Sequence, residues 1–394
     1  MEDVHIKTFL TPKHLTALIP AFFSFVFNLM IAATVDENSY ANYILIIYWA
    51  TFIGTISAWS FVDMSISEQL KASLPEDNLT LSLLSTFIIC FIFFLFSKNL
   101  NFIGAFFSQN ALIICGFALL FSWTRTFNLF WANEKKFKEL FLSRISRSAS
   151  LIVFGLFFIV FHRADYVEAI IFQIFSFFIG LSISLKYFKS LKINKAISSL
   201  SIEGLRTSSF RTLSLGVDVL HIPLFLLAMN SASALNSEQI NIEVYIIGLG
   251  LPAISILTQI LNEFLRGQLN IILDLFNRKH YYLNLFAFLL FSIVFSSWFY
   301  FLNFENIFYG AFILFIFGKL SSSFSGLLVY KLDYEKYDLL INVAITILIF
   351  ILLLSKYEGS WFLVNIILAT IASKYFLLLG VVFMKLSKLQ HRDL

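Results

Sequence analysis

Residues 80–97 read TLSLLSTFIICFIFFLFS, a run with no charge and no sustained alternation of polar and apolar positions. A helix needs roughly 20 mostly apolar residues to cross about 30 Å of hydrocarbon. A barrel strand would instead alternate lipid-facing with lumen-facing side chains. The run therefore predicts a membrane-spanning helix.

The pattern recurs along the chain. Spans are predicted at 15–34, 41–62, 80–97, 110–131, 146–162 and 166–188. A second set follows at 212–230, 244–262, 283–302, 307–330, 338–355 and 361–384. Composition agrees, because 59% of the 394 residues are hydrophobic and only 13% charged, against about a quarter charged in soluble domains. Mean hydropathy is +0.84. The predicted fold class is an all-α polytopic membrane protein, with about 12 transmembrane helices in two six-helix lobes around a central cavity. The first span is too long for the core of a signal peptide and is followed by others, so it reads as a retained helix.

Lys and Arg set the orientation. With the N-terminus inside, the outer segments keep only Lys98, Arg163 and Lys356, while Lys319 and Lys374 fall within spans. The other basic residues gather in cytoplasmic segments, which predicts a multi-pass protein with both termini cytoplasmic. The outer segments 35–40, 231–243 and 303–306 are too short to fold as catalytic domains. Asp36 and Glu37 are adjacent acids on the first of them and read as a solvated turn. Cys90 and Cys115 each sit in an apolar run and read as packing residues.

The halves are of nearly equal length: 1–188, a basic Ser-rich linker at 189–211, and 212–394. Faint echoes recur at an offset near 200 residues. Asp63 with Gln69 and Leu70 is echoed by Glu263 with Gln268 and Leu269. Lys136-Phe137 is echoed by Lys336-Tyr337, and Pro20 loosely by Pro223. An even span number per half makes the halves parallel repeats, with substrate held near the midplane between them. Pro20, Pro223 and Pro252 lie within spans, where proline removes a backbone hydrogen bond and bends the helix. Span seven is expected to be the most interrupted, with Gly216, Asp218, His221 and Pro223 close together.

Charges inside a membrane are costly and usually face a cavity or a partner. Lys319 and Lys374 are expected deep in spans ten and twelve. Arg125 and Arg266 are placed at cytoplasmic span ends, and Arg144 and Arg147 where span five begins. Together these residues outline a cationic, inward-facing vestibule; anchoring by positive-inside bias is the simpler alternative for the arginines. Asp218, with His221 nearly one turn above, is the candidate for ion coupling or gating, with Pro20 and Pro223 as hinge elements. A static ion pair of Asp218 with Lys319 or Lys374 is the competing reading. No GxxxxGK[ST], GxGxxG or HExxH pattern occurs. No catalytic residues, metal or cofactor are therefore assigned, the chain is read as a non-enzyme, and no nucleic-acid partner is expected.

The layout resembles the Wzx-type polysaccharide flippases of the multidrug/oligosaccharidyl-lipid/polysaccharide exporter superfamily. Three local features carry the likeness. Phe61-Val62-Asp63-Met64-Ser65-Ile66-Ser67-Glu68 closes span two, although Met64-Ser65 departs from the Asp-Leu-Gly-like turn common in that family. Asn133-Glu134-Lys135-Lys136-Phe137 precedes span five, and Gly216-Val217-Asp218-Val219-Leu220 lies in span seven. The resemblance implies a bacterial inner-membrane flippase for polyprenyl-diphosphate-linked oligosaccharide, of the O-antigen type, without intrinsic catalysis. It implies a cationic cavity at Lys319, Lys374 and the inner arginines. It also implies contact with membrane lipids and with other glycan-assembly proteins. The alternatives are a drug or small-molecule exporter of the same fold and a membrane glycan polymerase.

Overall fold

The structure is a computed structural model. It describes residues 12–59, 61–64, 75–97, 105–134, 136–161, 165–189, 191–200, 202–233, 335–354 and 361–390. It also describes single helical positions at 248, 250, 254, 258, 311, 312, 315, 316, 318 and 319. All regular structure among these residues is helical. Seven of the described helices are long and apolar enough to cross a membrane. The protein is an all-α, multi-pass membrane protein. Most of spans eight, nine and ten, together with Arg266, Pro252 and Glu263, lies outside the described residues.

The helices are α1 (Pro12–Thr34), α2 (Glu37–Ser57), α3 (Phe61–Met64), α4 (Pro75–Phe96) and α5 (Ala105–Asn133). They continue as α6 (Phe137–Phe161), α7 (Tyr166–Leu181), α8 (Leu185–Phe188), α9 (Ile193–Ser198) and α10 (Ile202–Ser233). Towards the C-terminus come α11 (Glu335–Leu353) and α12 (Trp361–Gln390). The chain divides into two compact units, 1–223 with 238–253 and 224–237 with 254–394.

In the first unit α5 is central, packed on α2, α4, α6 and α7, while α1 lies along α6. Close approach has identifiable causes. A Cβ on Gly54 of α2 would lie 2.9 Å from the Ala118 carbonyl oxygen of α5. Gly180 of α7 would put one 3.2 Å from the Arg147 Cβ of α6. Thr86 and Ser122 join their hydroxyls across α4 and α5 at 2.9 Å. The outer face of α4 presents Phe87, Phe91, Leu95 and Phe96, all exposed. In water such a face would be unstable, whereas in lipid it is the expected surface.

Two expectations change. The fifth span starts earlier than the predicted 146, since α6 begins at Phe137. Lys138, Glu139 and Arg144 are good helix formers, so polarity there does not end the helix. Arg147 therefore lies about ten residues, roughly 15 Å, inside α6 and not at its start. Span seven is not broken at Pro223 either; α10 runs unbroken over 32 residues. In the stretch after α8, α9 docks on α4. There Ala196 joins a small core with Phe61 and Leu81, flanked by Trp59, Leu200 and Leu205.

Asp36 caps α2, its carboxylate accepting from the Ser39 backbone N–H at 3.0 Å and from the Ser39 hydroxyl at 2.6 Å. This is the N-cap arrangement that satisfies a free helix-end donor, and it accounts for the acid without chemistry.

Candidate functional site

Four helices of the first unit converge on a polar cluster inside an otherwise apolar bundle. Gln173 of α7 donates through Nε2 to the Tyr43 hydroxyl of α2 at 2.5 Å. The Tyr43 hydroxyl donates to Asn28 Oδ1 of α1 at 2.7 Å. Tyr43 is fully buried and Tyr40 stacks beside it, ring centroids 6.0 Å apart. One turn along α7 from Gln173 stands Phe177, and the Arg147 guanidinium of α6 lies 3.9 Å from its ring centroid. The Arg147 Nε is buried without a hydrogen-bond partner, and among the described residues no carboxylate pairs with the side chain. A guanidinium stacked on a ring keeps its edge donors available for a planar anion. Next to it in sequence, Ser148 donates to the Pro20 carbonyl at 3.3 Å, which ties α1 at Pro20 to α6.

The other expected basic residues of this unit stand apart. Arg125 of α5 is half-buried and donates towards Thr55 Oγ1 of α2 at 3.4 Å. Arg144, one turn below Arg147, is half-buried and engaged. Asp218 and His221 are three residues apart on α10 and so share a face. Asp218 is half-buried, His221 fully buried, and both make contacts. Gly216 presses this part of α10 against the Ile56 side chain of α2.

In the second unit two lysines converge on one ring. Lys374 of α12 is only 2% exposed, and its Nζ lies 4.5 Å from the Tyr375 ring centroid. Lys319 reaches the same ring at 5.1 Å. A Cβ on Gly318 would lie 2.9 Å from Tyr375 Cδ2, so the glycine lets the Lys319 segment come close to α12. Phe315 meets Tyr375 edge-on at 6.2 Å.

Sequence reasoning named Arg147, Lys319 and Lys374 but missed Asn28, Tyr43, Gln173, Phe177 and Tyr375. An inventory of uncharged polar residues within the apolar spans would have found Asn28 and Gln173. No pattern in the sequence distinguishes Phe177 or Tyr375 from the other aromatics.

No family profile matches the sequence, and no curated protein matches it. Solved structures do match. A multidrug resistance MATE family transporter of the MOP superfamily in an outward-facing conformation is 13% identical with a TM-score of 0.52, and 96% of each chain is covered. An inward-facing conformation of such a transporter has a TM-score of 0.54 at 13% identity, covering 96% of this chain and 98% of that one. The chain has the MATE-like transporter fold. A MOP superfamily transporter from Pyrococcus furiosus, described as having a binding pocket of reverse polarity, is 14% identical with a TM-score of 0.53 over 96% of each chain.

Proposed function

We propose that the chain is a flippase working by alternating access. It carries a polyprenyl-diphosphate-linked oligosaccharide, of the O-antigen type, across the bacterial inner membrane, with both termini in the cytoplasm. The observation that carries this reading is Arg147: a guanidinium deep in a span, stacked on Phe177, with no carboxylate partner among the described residues. An unpaired cation at that depth is costly, and an anionic headgroup would offset the cost. Lys374 and Lys319 on Tyr375 supply a second basic locus. Basic residues at the cytoplasmic ends would concentrate an anionic lipid before it enters. Structures of the same fold exist facing outward and facing inward, which fits alternating access.

The test is the sidedness of the lipid-linked unit. Deleting the gene is expected to stop surface glycan and trap the complete unit on the cytoplasmic face, protected from an impermeant oxidant in intact spheroplasts. Arrival of single, unpolymerised units on the outer face would overturn the reading in favour of a polymerase. The fold likeness to multidrug resistance transporters favours a second reading, a small-molecule exporter. Deletion would then leave surface glycan intact and raise sensitivity to toxic small molecules.

A further inference from the structure

One face of α5 carries buried polar atoms that have nothing to bond. Thr124 Oγ1, Asn128 Oδ1 and Trp131 Nε1 are each buried without a hydrogen-bond partner. At 100° per residue these three positions fall within about 60° of one another, so they form a single stripe along the cytoplasmic half of the helix. The stripe faces into the first unit. Trp131 packs its ring against Tyr187 at the end of α8, with centroids 6.1 Å apart. Phe121, one turn from Thr124 on the same side, meets Phe177 of α7 at 6.3 Å. Phe177 in turn carries Arg147, whose Nε is also buried and unpartnered. Three orphaned atoms thus line one stripe of α5 from the α5–α6 turn inward, and the rings of Phe121 and Phe177 connect its inner end to the fourth, on Arg147. At the cytoplasmic end Lys136 sits over Phe130 and Tyr187, at 4.9 and 5.1 Å.

Buried polar groups in native proteins are almost always satisfied by protein or by ordered water. A lone exception needs no account, but three along one stripe of a single helix do. The opposite face of α5 makes the contrast. There Ser122 is equally buried and bonded to Thr86. We infer that water enters the first unit from its cytoplasmic end along the Trp131–Asn128–Thr124 face of α5 and reaches Arg147. The route runs within the first unit and ends at the cation that, on the proposed function, meets the anionic headgroup. It joins the cytoplasm to the interior cation and gives protons or small ions access to it, whatever the cargo.

Two measurements test this. In the first, the purified full-length protein is exposed to hydroxyl radicals generated by a short X-ray pulse and oxidation is read by mass spectrometry. Trp131 is 0% exposed and Trp49 is 4% exposed, so exposure alone predicts that both are protected. Water held against the Trp131 Nε1 predicts oxidation of Trp131 several-fold faster than of Trp49, falling to the Trp49 rate in Asn128→Leu. Equal rates in the unaltered protein would overturn the inference. In the second, Asn128→Cys and Ser122→Cys are made in a background lacking Cys90 and Cys115, and a small aminoethyl thiosulfonate is applied to inside-out vesicles. Labelling of position 128 but not 122 is expected. Failure to label 128, or equal labelling of both, would count against a hydrated face. The radical measurement needs no substitution for its main comparison, so misfolding of a variant does not decide the outcome.

Discussion

The Arg147 guanidinium lies 3.9 Å from the ring centroid of Phe177, and Phe117 meets that same ring edge-on at 5.1 Å. An apolar ring thus holds a cation in place without neutralising it. Replacing Phe177 with Leu keeps the bulk and removes the π-face, which is worth about 0.5–2 kcal/mol when partly desolvated. On the proposed function, Phe177→Leu is expected to weaken binding of the lipid diphosphate roughly two- to thirtyfold. Arg147→Lys retains charge without the planar fork and is expected to lose more, and Arg147→Ala more still. Binding of a short-chain polyprenyl diphosphate to the purified variants measures this; equal affinity across the set would remove Arg147 from the site.

Lys374 and Lys319 share the Tyr375 ring, so Tyr375 should matter through its face and not its hydroxyl. Tyr375→Phe is expected to keep export of surface glycan near the unaltered level, and Tyr375→Leu to lower it. Lys374→Ala is expected to lose most export at normal expression, with Lys374→Arg retaining part. Full surface glycan from the Ala variants of both lysines would show that positive charge here is dispensable.

The packing of α2 on α5 makes a stability prediction. A methyl group on Gly54 would lie 2.8 Å from Phe121 Cδ1 and 2.9 Å from the Ala118 carbonyl oxygen, and backbone cannot swing aside. Gly54→Ala should cost about 1–3 kcal/mol. Gly116 of α5 has nothing within 4 Å of the same position. Gly116→Ala should be neutral or stabilising by about 0.4–1 kcal/mol, since alanine narrows the unfolded ensemble. Thermal denaturation in one detergent compares the two, and similar melting temperatures would contradict the α2–α5 contact.

Asp218 lies on α10 beside the point where Gly216 meets Ile56 of α2. A single charge moved through the full membrane field is worth about 2.3 kcal/mol per 100 mV. If Asp218 carries the coupling ion, Asp218→Asn should slow transport and flatten its dependence on the ion gradient while the protein still folds. Unchanged gradient dependence in proteoliposomes would assign the residue a packing role.

Orientation is tested at the two ends of one continuous segment. Asp165 precedes α7 and Lys189 follows α8, and both are exposed. In a background lacking Cys90 and Cys115, Asp165→Cys should react with an impermeant maleimide in intact spheroplasts, and Lys189→Cys only after permeabilisation. The reverse pattern would place the N-terminus outside.

The helical, membrane-spanning character of this chain follows from its sequence alone. A run such as 80–97 has no soluble alternative, because its backbone must satisfy itself and its surface must face lipid. The placing of spans two to seven and eleven was legible for the same reason, since long apolar runs dominate any local preference. Span starts were less legible. Arg144 and Arg147 read as the edge of a span because charge opposes lipid, yet α6 carries both within one continuous helix, where Arg147 stacks on Phe177. Only the tertiary structure decided that Arg147 rests on Phe177, that Tyr43 links Asn28 to Gln173, and that Lys319 and Lys374 meet at Tyr375. Each of these joins residues from different helices, and the rotation of a helix about its axis is fixed by side-chain packing that no local run of sequence contains.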